Sequence, residues 1–177
     1  MKPITKLYLK IFLFAGVSYG FITLALSLIA GDKDEFNLWS LLITSFFFGI
    51  AMSLILVSVQ KYRLKKNGVQ EISDKNLGVS QTAHIKSNLN KSELINKLKT
   101  DPVIRKMTMT EIENGILLQT GMTWKSWGEE IKIILKTDQE SDFEYEISSS
   151  PKLKTTLIDY GKNLENIDQV KRAIKRY

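Results

Sequence analysis

Two apolar runs near the start of the chain constrain what it can fold into more than anything after them. Ile11 to Ala30 is twenty residues without a charged side chain, and Phe36 to Gln60 is twenty-five. Only Gly31, Asp32, Lys33, Asp34 and Glu35 lie between them. A helix needs roughly 20 apolar residues to cross the hydrocarbon of a bilayer, so both runs are long enough. A domain in water can bury one such helix at its centre. Two in succession, joined by a short acidic turn, instead predict a transmembrane helical hairpin over residues 1–66.

The net charge of +6 would suggest a nucleic-acid partner if it were spread over a domain, so its location matters. Lys2, Lys6 and Lys10 precede the first run, and Lys61, Arg63, Lys65 and Lys66 follow the second. Residues 67–177 hold 17 Lys or Arg against 16 Asp or Glu and are nearly neutral. The excess is therefore juxtamembrane, where Lys and Arg orient a membrane protein by staying on the cytoplasmic side. Both termini are expected in the cytoplasm, in a multi-pass inner-membrane protein, with the lipid bilayer as partner and no nucleic acid. Four cations after the second run also attract anionic headgroups, at about 1 kcal/mol each near the surface.

The chain has no cysteine, which removes disulfides, thiolate chemistry and Cys-based zinc sites. Its N-terminus resembles a signal peptide, with Lys2 and Lys6 ahead of an apolar stretch. Leu28 is too large for the small-residue cleavage pattern before Gly31, and the segment is expected to be retained. Neither apolar run contains Asp, Glu, Lys, Arg or His, the usual marks of an ion or proton path. Gly16 and Gly20 form G-x-x-x-G, and Ser45, Gly49 and Ser53 repeat the four-residue spacing, which lets helix backbones approach closely. These faces either meet each other within the hairpin or serve a homodimer or a larger membrane complex. Trp39 is expected near the outer boundary of the bilayer.

Residues 67–80 are polar and aperiodic and are expected to form a linker. The rest, residues 81–177, is expected to fold as an α+β domain with an antiparallel sheet and two helices. Gln81 to Lys86 reads as a strand, and Asn90 with Glu93 as a capping box before a helix carrying Leu94, Ile95 and Leu98. Asp101-Pro102 ends that helix. Ile104 to Glu113 is expected to be β, with Asn114-Gly115 as a hairpin turn in which both residues tolerate positive φ. Alternation then places Ile116, Leu118, Thr120, Met122 and Trp124 on one face, as it does Ile131, Ile133 and Leu135, and Phe143, Tyr145 and Ile147. Asp138 to Asp142 is the connecting turn. A helix over Leu164 to Lys175 closes the chain, with Ile167, Val170 and Ile174 on one side and a basic end.

Few residues suggest chemistry. His84 stands alone and is read as structural or at the surface. Phosphate-cradling glycine loops are missing from the sequence, and no metal or cofactor is expected. Glu129, Glu130, Asp138, Glu140, Asp142, Glu144 and Glu146 lack calcium-loop spacing and read as a solvated face. Two stretches look over-specified. One is Trp124 to Glu129, with Trp127; the other is Ser148, Ser149 and Ser150 followed by Asp159, Gly161 and Asn163 at the mouth of the last helix. In one account the glycines make turns and Asp159 or Asn163 caps the helix. In the other, hydroxyls, helix-terminal amides and Trp127 converge on a small anionic or peptide ligand.

Roughly the last 95 residues resemble a family of small bacterial α+β domains of unknown function. Its members show a strand and helix, a meander, and a serine-rich strand end followed by an Asp-x-Gly-x-Asn helix start. Ser148 to Ser150, Asp159, Gly161, Asn163 and Ile167 stand at the matching places. The family usually has arginines among those serines, whereas this chain has Lys152 and Lys154 after them. The resemblance implies no reaction. The expected role is accordingly an integral membrane protein presenting a cytoplasmic binding or assembly domain, such as an accessory subunit of a membrane complex, and not an enzyme. The alternatives are a pleckstrin-homology-like domain on two spans and a membrane-bound hydrolase using Ser148 to Ser150 and Asp159.

Overall fold

The computed structural model describes residues 1–31, 37–123, 126–139 and 142–175. The acidic turn, Trp124 and Glu140 lie outside the described residues. The chain divides into two compact units, Met1–Leu77 and Gly78–Tyr177.

The first unit is a helical hairpin of α1 (Pro3–Ala30) and α2 (Leu38–Lys66), followed by the short α3 (Asp74–Leu77). Pro3 opens α1 at a position where its missing N–H costs nothing, and Gly31 ends it at φ 79°. Asn37 caps α2 by accepting from the amides of Trp39 and Ser40 at 2.9 and 3.2 Å. The basic residues Arg63, Lys65 and Lys66 form the last turn of α2, where cations complement the helix dipole. The helix stops at Gly68, φ 83°, with the Gly68 and Val69 amides bonded back to the Lys65 and Leu64 carbonyls.

Small residues set how closely the two helices approach. A Cβ on Gly16 would lie 3.0 Å from the Ser45 carbonyl oxygen, one on Gly20 2.8 Å from Ser45 Oγ, and one on Gly49 2.7 Å from the Phe12 carbonyl oxygen. Gly16, Gly20, Ser45 and Gly49 thus face the partner helix of the same hairpin, and Ser53 is buried with its hydroxyl donating to the Ile50 carbonyl at 2.8 Å. Rings fill the space beside this seam, with Tyr19 stacked on Phe48 at 4.6 Å and Phe12 edge-on to Phe46 at 5.5 Å. The remaining apolar surface faces outward. In the most apolar 18-residue window of each helix 6% and 17% of residues are buried.

The second unit is α+β. Its sheet has the order β1-β5-β4-β3-β2, with every neighbouring pair antiparallel, formed by β1 (Gln81–Ser87), β2 (Thr108–Ile112), β3 (Gly115–Gln119), β4 (Glu129–Gln139) and β5 (Asp142–Pro151). Helices α4 (Lys91–Thr100) and α5 (Lys162–Lys175) contribute to the core formed on one sheet face. Ile85, Ile116, Leu118, Ile131, Ile133, Tyr145 and Ile147 meet Leu94, Leu98, Ile167 and Val170 there. The alternation of apolar residues is what makes this face, because side chains two apart share a side of the pleat. The capping box of Asn90 and Glu93 starts α4 as expected. Asp101 both ends α4 and accepts from the Val103 and Ile104 amides at 2.9 and 3.0 Å, starting a 3-10 turn over Ile104–Lys106.

Four local expectations are corrected. The β region begins at Thr108 rather than Ile104, because of that 3-10 turn. The hairpin turn is Glu113-Asn114, with Gly115 already in β3 opposite Ile112. Neither Asn114 nor Gly115 has positive φ, and Gly115 is needed because a Cβ there would collide with the Ile133 carbonyl on β4. β3 stops at Gln119, leaving Met122 exposed instead of inward. Strand pairing between β4 and β5 continues to Gln139 and Asp142, so the turn is shorter than Asp138 to Asp142. The pleckstrin-homology-like alternative also fails, since an open sheet edged by β1 and β2, with α4 between them in sequence, is not a closed barrel.

Two alanine substitutions separate close approach from mere chain reversal. Gly115→Ala should destabilise the domain by about 1–3 kcal/mol, because the ladder must shift to admit the methyl group. Gly121→Ala, with nothing within 4 Å of its Cβ, should change stability by no more than about 0.5 kcal/mol. Urea unfolding of the full-length protein in mild detergent measures both.

Candidate functional site

β5 places its three serines by period two. Ser149 points to the helices and is buried, whereas Ser148 and Ser150 lie on the other face, opposite Lys132 and Glu130 of β4. The Ser149 hydroxyl donates to Asn163 Oδ1 at 2.6 Å and accepts from Asn166 Nδ2 at 3.2 Å. Asn163 in turn donates through Nδ2 to the Val79 carbonyl at 2.8 Å and to Asp159 Oδ2 at 3.1 Å. The Asp159 carboxylate accepts from the Gly161 and Asn163 amides, both at 3.0 Å. Tyr160 and Gly161 adopt φ 54° and 71°, and this left-handed pair reverses the chain so that the first amides of α5 turn back onto Asp159.

The spacing Asp-x-Gly-x-Asn therefore has a local physical meaning. The aspartate caps, the glycine takes the left-handed conformation, and the asparagine links the cap to β5 and to the segment before β1. Asn166 belongs to the same cluster and was missed in the sequence. Its signal was its place three residues after Asn163, on the same side of the helix.

Trp127 stands apart from this cluster but next to it. With 64% of its surface exposed, it lines a cleft of about 230 Å³ together with Glu129, Leu153 and Asp159. Glu129 is buried, which corrects its assignment to a solvated acidic face. It lies on the Ile131 and Ile133 side of β4, accepts from Thr120 Oγ1 at 2.5 Å through Oε2, and its amide donates to that same Oγ1 at 2.7 Å. The structure thus brings Trp127 and Asp159 to one cleft, and Asp159, Gly161, Asn163 and Ser149 to one hydrogen-bonded cluster. Ser148 and Ser150 join neither. The Gly161 and Asn163 amides end on Asp159, and the charged groups lining the cleft, Glu129 and Asp159, are buried carboxylates bonded within the domain.

The open sheet face is charged and solvated. His84 sits between Glu144 and Glu146, at 3.3 and 3.8 Å, and Lys136 reaches Glu146 at 3.4 Å. Among the described residues no group of His, Asp or Glu has an arrangement that could hold a metal ion. A larger apolar groove of about 450 Å³ runs along the hairpin beside Gly16, Gly20 and Ser45, on surface that faces outward. Compared with known protein families, curated proteins and solved structures, the chain matches none of them.

Asp159→Ala should cost roughly 2 kcal/mol or more, since it removes a helix cap and leaves the Asn163 amide and side chain short of an acceptor. Trp127→Ala should alter stability by no more than about 0.5 kcal/mol, because the ring is largely in solvent. Thermal unfolding of the full-length variants in detergent distinguishes a structural cap from an exposed surface residue.

Proposed function

We propose that this chain is a two-span inner-membrane protein that presents its α+β domain in the cytoplasm as a binding or assembly module, using the end of the sheet that carries Trp127. The supporting observation is the hairpin itself, with two helices of 28 and 29 residues in whose most apolar windows 6% and 17% of residues are buried. Val17, Phe21, Ile29 and Phe47 are all largely exposed. In water such a surface would drive association, whereas in lipid it is simply solvated. Within the spans the Thr44 and Ser53 hydroxyls are partnered by carbonyls of their own helix, at 2.9 Å to Ser40 and 2.8 Å to Ile50.

Orientation follows from Lys2, Lys6 and Lys10 before the first span and Lys61, Arg63, Lys65 and Lys66 after the second. With both basic ends on the cytoplasmic side, the domain after Lys66 is cytoplasmic too. A binding role suits it better than turnover, because Ser149 is held by two neutral amides and Asp159 is engaged by backbone amides, leaving no activated nucleophile in the cluster. An accessory subunit of a membrane complex has this layout, with a compact anchor and a small presented domain.

Membranes washed with alkaline carbonate should retain the full-length protein, and a reporter fused after Tyr177 should give a cytoplasmic signal. Release into the wash would remove the anchor, and a periplasmic signal would reverse the orientation. Replacing Lys61, Arg63, Lys65 and Lys66 together with glutamine should produce mixed or inverted insertion of the second span in the same assay.

A further inference from the structure

We infer that the Trp127 end of the domain docks on the headgroup layer of the bilayer in which the hairpin sits, an inference that rests on the two-span reading above and names the partner of that same surface. The exposed large apolar side chains of the domain, among its described residues, are Val103, Met122, Trp127 and Leu153, at 47%, 68%, 64% and 43% exposure. Strand register puts all four at one end of the sheet. Met122 and Trp127 lie between the end of β3 and the start of β4, and Leu153 follows β5, whose Pro151 pairs with Glu129. Val103 precedes β2, whose first residue, Thr108, pairs with Gln119 at the end of β3. The opposite end is polar, with the Glu113-Asn114 turn, the Lys86–Asp142 ion pair and the Asn90 cap of α4.

The chain also enters the domain at the apolar end. β1 begins at Gln81, opposite Ser149, two residues from the Pro151–Glu129 pair. Residues 67–80 connect that entry point to the last turn of α2, and fourteen residues span at most roughly 50 Å even when fully extended. The linker thus joins the domain at this end, which lies nearer along the chain to the headgroups than the polar one. A surface so tethered meets the membrane at high effective concentration, and weak contacts then suffice.

The side chains match that environment. Tryptophan concentrates at the membrane–water interface, and lysine adds attraction to anionic headgroups while its stem lies along apolar surface. In the described parts of segments 120–128 and 151–156 the exposed charges are Lys152 and Lys154. Lys152 lies over the β3–β4 loop, with Nζ donating to the Thr120 carbonyl at 3.0 Å and its backbone amide to the Gly128 carbonyl at 3.0 Å. Of the carboxylates nearby, Glu129 and Asp159 are buried and bonded within the domain and Glu130 is half-buried and accepts from Gln119 Nε2 at 3.0 Å, so the fully exposed charges shown to an anionic membrane by these segments are basic.

The chain has no cysteine, so single substitutions allow unique labelling of the full-length protein in nanodiscs. Environment-sensitive probes at Met122→Cys, at Leu153→Cys, at the polar-end control Glu113→Cys and at the span control Phe47→Cys are read against lipid-borne nitroxide quenchers. Quenching at positions 122 and 153 but not 113 is expected. Each lysine should raise the docked-to-free ratio about fivefold in anionic over zwitterionic discs, so Lys152→Gln with Lys154→Gln should abolish most of that difference. Quenching at 47 with none at 122 and 153 overturns the inference while leaving the anchor intact, and would hand this surface to a protein partner. An unquenched probe at 47 removes the membrane reading and the inference with it.

Discussion

Closure of the domain depends on a buried polar contact more than on any single apolar one. α5 can cover the sheet only if its first turn is satisfied away from water, and the Asp159 carboxylate does this by accepting the Gly161 and Asn163 amides. Asn163 then carries the constraint outward, to Ser149 on β5 and to the Val79 carbonyl just before β1. One cluster therefore ties the last helix, the inner strand β5 and the edge strand's entry into the sheet. Each member is bonded, which matters because an unpaired polar group in such a place costs about 1–3 kcal/mol. Once these groups are fixed, the apolar side of α5, with Ile167, Val170 and Ile174, can settle only on the face that holds Ile147, Ile133 and Ile131.

Much of this was legible in the residues, for reasons that differ by element. The two long apolar helices declared themselves by length and lack of charge. The core strands declared themselves by alternation, since Ile131, Ile133, Tyr145 and Ile147 had no other common face. Where tertiary contact overrode local preference, the residues misled. Asn114-Gly115 has the composition of a left-handed turn, yet the glycine is demanded by the neighbouring strand, and the turn moves one residue earlier. Met122 continued an apolar alternation that the strand itself did not continue, because pairing with β4 ends at Gln119 and Glu130.

The candidate site was half legible for a related reason. Asp159, Gly161 and Asn163 were visible as a spacing, but their donors and acceptors could point either to a ligand or to each other, and only geometry decides. Glu129 illustrates the reverse case. Its charge placed it with the acids of the wet face, whereas its parity with Ile131 placed it inside, and the pleat prevailed because Thr120 could supply a partner. Parity along a strand is thus a better guide to burial than charge when a hydroxyl stands opposite.

A domain with one polar end and one apolar end is directional. Water-exposed domains scatter their surplus apolar side chains, since isolated ones are harmless while gathered ones promote association. Here Val103, Met122, Trp127 and Leu153 come from three separate connections and still gather at one end of the sheet. The core does not require this, because none of the four belongs to it. The folding of the domain leaves these positions unconstrained, so their common location is best accounted for by what that end touches. The linker enters at that end too, and a covalent tether converts a modest apolar surface into a durable contact without adding any residue to it. On the two-span reading, the linker that follows the hairpin thus joins the domain at the end where these apolar side chains gather.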